Sequence, residues 1–522
     1  VAPAEGGRPV TTRAPGRTPW TTPVFLLAVV SLCYAVAQFS LVTTAFGIEW
    51  DEAVYISQFS GNGAPIAFHA SRGWGTPLVV APVVMFTDSI AVLRAYLMVL
   101  SALLLFGAFR IWLPVRPGRT VPLAAAIFAA CWPAVLYGGE AMPNIFTALG
   151  AVALTGLVVR AAAPAASRGR GLLAATAGLV VLVALFRPTD TTVIVLALAA
   201  AVVLTPRAAA RRDSLAVIAA LGAGLAVAWG LWIVDAVRRY GGAAERMELA
   251  TEYFGPYRWL AGHYLRALDG PVVCSTLDGC GPVTAGAAAW AAGFLLLAAA
   301  GSALLWRRGL RLAATASAAV AACAAGAYLY HPLLPHPRYL LPTYGLLAIA
   351  AAEGVVLLAA ALRRRARAGC ALAFCALLAA GHLFPQAGYL IDNVGRLAPG
   401  RARDVAVAAD VKEIGYRRPC LVYGWHAPQI GHHLGCEAAG TSGGRPLPAT
   451  PAHVPARAAS GYSVIVVYRG DADRNAPDLA SWPRHRLPSS GWYARMHDGR
   501  TGPGVPPDLA RRESGLPGLP GL

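Results

Sequence analysis

The stretch WDEAVYISQFSGNGAPIAFHASRGWGTPL, residues 50–78, follows directly on the first long apolar run, Val24 to Phe46, and its reading decides the fold. Two adjacent carboxylates, Asp51 and Glu52, stand where a chain leaving a hydrocarbon layer would meet water. That placement has meaning only if Val24 to Phe46 crosses a membrane, and the composition requires it. Hydrophobic residues make up 57% of the chain and charged ones 13%, with a mean hydropathy of +0.53. A soluble domain carries about twice that share of charge.

Working outward, apolar runs recur at Val24–Phe46, Ile90–Leu113, Val121–Tyr137, Ile145–Val159, Leu172–Phe186, Thr191–Leu204, Ser214–Val234, Ala285–Leu305, Leu312–Leu329, Tyr339–Leu362 and Cys370–Tyr389. Their lengths suit crossing an apolar layer about 30 Å thick. The sequence therefore predicts an α-helical polytopic membrane protein, a bundle of about eleven transmembrane helices over residues 21–391 with external loops at 47–89 and 236–284. From Asp392 the character changes. ARDVAVAADVKEIGYR has helical periodicity, CLVYG and YSVIVVYRG read as strands, and HAPQIGHHLG reads as a short helix between them. Residues 392–501 are thus expected to form a small extracytoplasmic α/β domain. Residues 1–20, rich in Pro, Gly and Arg, read as a disordered cytoplasmic tail, and 502–522 as a disordered Pro- and Gly-rich one.

The formal net charge is +18, with Lys412 the single lysine. A nucleic-acid partner would need that charge gathered on one water-facing surface. Instead the arginines fall at alternate turns of the bundle, among them Arg116, Arg119, Arg170, Arg212, Arg307, Arg311 and Arg363. With the N-terminus in the cytoplasm, all of these lie inside. Asp51, Glu52, Glu140, Asp190 and Asp235 then lie outside, so the expected partner is the lipid bilayer and no nucleic acid.

Of the nine cysteines, Cys33, Cys131, Cys323, Cys370 and Cys375 lie in or beside apolar runs and read as packing residues. Cys274 and Cys280 flank STLDG in an external loop, while Cys420 and Cys436 bracket a strand, turn and helix. Both pairs are disulfide candidates in an oxidising compartment. Neither forms CxxC, and His426, His432 and His433 read more simply as structural than as zinc ligands. The external segment ERMELATEYFGPYRWLAGHYLRAL has helical spacing, and suits either an amphipathic helix on the outer membrane surface or a structural lid.

Taken in order, the external motifs resemble the lipid-phosphate-sugar-dependent glycosyltransferases of the membrane GT-C fold, which include protein O-mannosyltransferases and aminoarabinose transferases. The residues carrying the resemblance are Asp51, Glu52 and Tyr55 in a DE-x-x-Y pattern, His69 and Arg72, Thr76-Pro77-Leu78, Leu93-Arg94, YGGEAMPN from Tyr137 to Asn144, FRPTD from Phe186 to Asp190, and HPRYLLP from His336 to Pro342. They cover the bundle to about residue 390. One departure is Gly75-Thr76-Pro77-Leu78, where members often have Pro-Pro-Leu; it bears on acceptor and subfamily, not on fold. The resemblance implies a GT-C-like bundle in the bacterial cytoplasmic membrane, multi-pass, with the N-terminus cytoplasmic and the C-terminal domain outside. It implies a sugar moved from a polyprenyl-phosphate donor to a glycan, lipid or protein acceptor. No cofactor is certain, and a divalent metal stays open because some members use one.

The residues fit that chemistry. Polyprenyl phosphate is a fair leaving group, so inversion at the anomeric carbon needs one base and cations for the phosphate. Asp51 is the candidate base. Glu52 points about 100° away on a helix and takes a separate role in the site; as the alternative, Asp51 caps the helix and Glu52 complements its dipole. Glu140, in a Gly-Gly turn, joins the catalytic group by the resemblance. Arg187, directly before Pro188, and His331, His336 and Arg338, in the proline-rigid YHPLLPHPRY, are the candidate donor-phosphate ligands. Tyr55, His69, Arg72 and Asn144 are candidate substrate contacts. A transporter or lipid flippase would instead place ionisable groups at the midplane and show repeated halves, and a non-catalytic envelope-assembly protein would need neither feature.

Overall fold

The computed structural model describes residues 22–163, 170–205, 211–254, 256–331, 334–365, 368–439, 441–442, 445–446, 453–469 and 481–499. The tails expected at 1–20 and 502–522 lie outside them. The chain runs through α1 (Pro23–Leu41), α2 (Trp50–Ser57), α3 (Gly75–Val84), α4 (Ile90–Arg110), α5 (Thr120–Ala129), α6 (Trp132–Gly138), α7 (Pro143–Ala161), α8 (Arg170–Phe186), α9 (Pro188–Leu204), α10 (Arg211–Tyr240) and α11 (Ala243–Phe254). It continues with β1 (Arg258–Trp259), α12 (Ala261–Arg266), α13 (Ala285–Arg307), α14 (Arg311–Leu329), β2 (Tyr330–His331), α15 (Leu341–Arg365) and α16 (Ala368–Ile414).

Among the described residues, eight helices are long and apolar enough to cross a membrane, or nine counting the bent pair α5–α6 as one. The remaining two expected spans are α8 and α9, apolar helices of 17 residues each. The chain is a multi-pass membrane protein. α7 is apolar all round and buried along nearly its whole length, with α4, α8, α14 and α15 packed about it. α13 and α15 meet through Gly301 and Gly354, where a Cβ would overlap the other helix's backbone.

Two expectations need correction. The run Val121–Tyr137 is not one straight span: α5 and α6 meet at 74°. Pro133, near the start of α6, has no N–H to continue the ladder from α5, so a new helix begins there. The boundary at 391/392 falls inside α16, a helix of 47 residues that leaves the bundle and enters the C-terminal region unbroken. The loop 47–89 holds α2, with Asp51 and Glu52 on it, and α3.

Beyond α16 the chain forms β3 (Cys420–Gly424), α17 (Ala427–Leu434), β4 (Glu437–Ala439), a small hairpin of β5 (Thr441–Ser442) and β6 (Arg445–Pro446), then α18 (His453–Ala459), β7 (Ser463–Tyr468), β8 (Arg484–Leu487) and β9 (Trp492–His497). The main sheet has the order β4-β3-β7-β9-β8, with β3 parallel to β4 and β7, and β9 antiparallel to β7 and β8. β3 and β7, CLVYG and SVIVVY, are buried on both faces, which explains their unbroken apolar character. Cys420 is bonded to Cys436 and Cys274 to Cys280. The domain sits on the loop between α1 and α4: α17 packs on α2, and the Asn62 carboxamide donates to His432 O at 3.0 Å and accepts from Arg418 at 3.1 Å.

Candidate active site

α2 begins at Trp50, so Asp51 and Glu52 lie in its first turn, where the exposed N–H groups and the helix dipole favour negative charge. The two carboxylates part company at once. Glu52 is fully buried, and its Oε2 accepts from Glu49 N at 2.9 Å, closing the first turn as a capping box does. The capping role belongs to Glu52 and Glu49, not to Asp51. Arg94 of α4 meets Glu52 with both terminal nitrogens, at 2.6 and 2.7 Å, and also donates to the carbonyls of Phe46, Gly47 and Gly139. Ala141 N donates to Glu52 Oε1 at 2.7 Å. Burial pushes the Glu52 carboxyl up, but Arg94 and then Arg401 outweigh it and hold the group ionised.

Glu140 joins this network through Oε1 alone, while its Oε2 is buried without a partner among the described residues. Arg401, on α16, donates to Glu140 Oε1 at 2.6 Å and to Gly47 O at 2.9 Å, and lies 3.6 Å from Glu52. Gly138 admits α1, since a Cβ there would lie 2.4 Å from Tyr34 and Gln38; the close approach is to a helix, not to a ligand. Glu52 and Glu140 therefore clamp the turns around residues 46–52 and 139–141 to α4 and α16. Arg94→Met strands a buried carboxylate and is expected to destabilise the protein by about 3–5 kcal/mol. The double variant Arg94→Met/Glu52→Gln should recover much of this, read as the thermal midpoint in detergent.

Asp51 faces the other way and keeps 30% of its side chain exposed. Its Oδ1 accepts from Arg72 at 2.6 Å and its Oδ2 from Arg338 at 3.1 Å, while Arg338 also reaches Glu49 at 3.1 Å. Burial pushes the Asp51 carboxyl up, yet Arg72 and Arg338 prevail and hold it well below the usual carboxylate range. Arg72 stacks on Tyr55 at 5.0 Å. The Arg72 loop reaches this place because Gly73 lies against the end of α8, where a Cβ would fall 2.4 Å from Leu185 O. Arg246 of α11 fixes the same loop by donating to the carbonyls of Ala70 and Arg72 and to Asp235, at 3.0, 3.1 and 2.8 Å. The segment read as a surface helix or lid thus includes a clasp on the Arg72 loop.

Arg187 caps α9 just before Pro188, and donates to Tyr328 OH at 2.9 Å, which in turn donates to Asp190 at 2.5 Å. It stacks on Tyr339 at 4.9 Å, and Arg338 lies 5.5 Å from the same ring. His336 is buried beside them and His331 stacks on Tyr328 at 5.2 Å. The expectation of three cations in this loop is corrected. Burial and the nearby arginines push His331 down to about 4 and His336 well below its ordinary value, so Arg338 carries the charge alone. His69 is likewise pushed down to about 4 by burial and Arg72. An unfolded histidine takes its proton near 6.5 while these stay neutral in the fold to about 4. Stability is therefore full above about 6.5 and falls as pH drops toward 4. The thermal midpoint should decline over that window, less steeply in His331→Gln.

On the arginines and histidine of this cluster, four buried nitrogens have no hydrogen-bond partner among the described residues: Nε of Arg72, Arg187 and Arg338, and Nδ1 of His336. Buried polar groups are rarely left so, and several together mark a place shaped for an acceptor of hydrogen bonds. A divalent metal does not fit here, because Asp51 and Glu49 both face guanidinium groups, and among the described residues no three His, Cys, Asp or Glu side chains gather to hold an ion.

No family model matches the chain, and no curated protein matches it by sequence. Solved structures do. Aminoarabinose transferase ArnT from Cupriavidus metallidurans, bound to undecaprenyl phosphate, aligns with a TM-score of 0.60 at 14% identity over 92% of this chain and 99% of that one. Its apo state aligns at 0.58 and 16% identity. The Archaeoglobus fulgidus oligosaccharyltransferase tethered to an acceptor peptide aligns at 0.53 and 13% identity, over 79% of this chain and 63% of that one. The chain has the GT-C fold.

On the GT-C bundle, the structure brings Asp51, Tyr55, Arg72, Arg187, His331, His336 and Arg338 to one cluster, with His69 on the Arg72 loop, where its Nδ1 lies 2.9 Å from Ser71 Oγ. Glu52 and Glu140 belong to the adjoining network. Asn144 is buried at the start of α7, and among the described residues its carboxamide makes no hydrogen bond to the cluster. Sequence reasoning missed Glu49, Arg401 and Tyr328. Glu49 had a signal, an acid two residues before Asp51; Arg401 and Tyr328 arrive from distant helices.

Proposed function

We propose that this protein is a membrane glycosyltransferase that takes a sugar from a polyprenyl-phosphate donor and passes it to an acceptor hydroxyl on the outer face of the cytoplasmic membrane. The observation that carries the reading is the grouping of Arg72, Arg338 and His336 about the partly exposed carboxylate of Asp51, with Arg187 sharing the Tyr339 ring with Arg338, each with a buried unpartnered nitrogen. Undecaprenyl phosphate bound to the ArnT neighbour supports a lipid phosphate as the anion. Asp51 takes the proton of the acceptor hydroxyl, whose oxygen attacks the anomeric carbon in line. The carbon–oxygen bond to the phosphate breaks, and the phosphate leaves with its electron pair toward the arginines.

The pairing of Asp51 with two arginines gives this scheme an order. While Arg72 and Arg338 hold it, Asp51 is a weak base. A donor phosphate competes for the same guanidinium groups, and as they turn to it the carboxylate is released and its basicity rises toward the ordinary range. Donor then binds before acceptor. The transporter reading gains nothing comparable: Glu353, the buried acid of α15, is paired with Arg116 and Arg308. The test is transfer by purified protein in lipid nanodiscs, with a panel of synthetic polyprenyl-phosphate sugars and membrane extract as acceptor. Release of polyprenyl phosphate that depends on the extract supports the function, and none with any donor removes it.

A further inference from the structure

We propose that the turn joining β3 to α17 is a saccharide-binding subsite for the acceptor, with the exposed indole of Trp425 as the ring platform and the His426–Asp404 pair as the hydroxyl-binding group. The inference rests on the transferase reading and deepens it, because it assigns the acceptor to the carbohydrates.

The sheet topology marks the place. β3 is parallel to both its neighbours; from its carboxyl end the chain goes through α17 to β4 on one side, while the chain after β7 goes to β8 and β9 on the other. In open α/β sheets, ligands bind in the crevice outside the carboxyl ends of such a divergent pair. At that end the chain turns sharply, with Trp425 N donating to Val467 O at 2.9 Å. His426 follows at φ +55°, a left-handed conformation that costs a non-glycine residue about 1–3 kcal/mol and is kept mainly at functional turns.

The side chains at this turn suit a sugar. His426 Nδ1 lies 2.8 Å from Oδ1 of Asp404, a buried carboxylate on α16, and the histidine side chain is 34% exposed. The two atoms are close but not aligned as a hydrogen bond, and neither has another partner among the described residues, so a buried carboxylate oxygen and an imidazole nitrogen both stand ready for a hydroxyl. Trp492 holds the imidazole from its edge, with ring centres 5.3 Å apart. Beside it Trp425 is 42% exposed, its ring centre 5.6 Å from that of His426. A sugar offers an apolar C–H face to an indole and hydroxyls to a neighbouring polar pair, and this turn presents both. The position is right for an acceptor. With its amide oriented to satisfy both ends, Gln429 of α17 accepts from Trp50 N at 3.3 Å and donates to His426 O at 3.2 Å. One side chain thus separates this turn from the residue preceding Asp51.

Saturation-transfer NMR on the full chain in lipid nanodiscs tests the subsite, with methyl α-D-glucopyranoside, methyl α-D-mannopyranoside, methyl β-D-galactopyranoside and methyl α-L-arabinofuranoside as probes. Transfer to ring C–H protons of at least one glycoside is expected, falling about ten-fold in Trp425→Ala and in His426→Gln. Undecaprenyl phosphate binding, measured on the same samples, should stay at its wild-type level. Absence of transfer with all four glycosides, or transfer that survives in both variants, overturns the subsite. So does emission quenched by brominated phospholipid in the wild type but not in Trp425→Phe, which would seat the indole in the bilayer. Failure of the donor reading shows separately, as wild-type protein that transfers saturation to a glycoside yet binds no undecaprenyl phosphate.

Discussion

Asp51→Asn is expected to lower sugar transfer by about 10²–10⁴-fold, the usual worth of a positioned base, while tightening the binding of polyprenyl phosphate about ten-fold. The two effects have one origin. Asp51 occupies Arg72 and Arg338 at 2.6 and 3.1 Å, so a phosphate must displace a carboxylate to reach them. Asparagine keeps the shape and removes the charge; the arginines then meet the phosphate without a rival, and no group is left to take the proton. Competition of this kind is worth on the order of one charge-assisted hydrogen bond, ~1.4 kcal/mol or ten-fold in affinity. Donor binding by fluorescence-detected titration and transfer by product release are read on the same preparation. Transfer at the wild-type rate removes Asp51 as base, whereas lost transfer with unchanged donor affinity keeps the base and discards the competition.

Arg338→Gln should weaken donor binding by about 10²–10³-fold, the loss that follows when one partner of a buried charged contact is removed. Arg338 is the charged member of the loop that also holds the two neutral histidines, and its side chain is 4% exposed. It touches Glu49 and Asp51 together, so its removal also leaves those acids less compensated, and Asp51 should titrate nearer the ordinary carboxylate range. Arg338→Lys separates charge from shape. A single ammonium cannot serve both carboxylates with the fork of a guanidinium, so this variant should recover part of the affinity and little of the rate. Equal donor binding in wild type, Arg338→Gln and Arg338→Lys would take the phosphate away from this loop.

Much of this was legible from residue order and sidedness. Every apolar run became helical, because run length and hydropathy are local properties that a bilayer reads directly. Arg72, Arg187 and Arg338 could be placed on one face with Asp51, since each follows or precedes a span at the same expected end. What the sequence hid was pairing. Nothing near Glu52 announces that Arg94 and Arg401 will enclose it, as the partners lie far along the chain and meet only when helices pack. For the same reason His331 and His336 read as cations: their spacing is visible, but the burial that keeps them neutral is not. The bend between α5 and α6 was marked by Pro133 but concealed by the apolar residues around it.

The length of α16 fixes how the two halves of the molecule keep time with each other. At about 1.5 Å per residue, its 47 residues extend roughly 70 Å, more than twice the thickness of the hydrocarbon layer. The sheet is therefore carried on a shaft whose lower part is seated among lipid and whose upper part bears Arg401 and Asp404, three residues and nearly one turn apart. One residue looks toward the carboxylates of the bundle and the other toward the Trp425 turn. Their angular phase on a common axis fixes how the Trp425 turn is set against the carboxylates of the bundle.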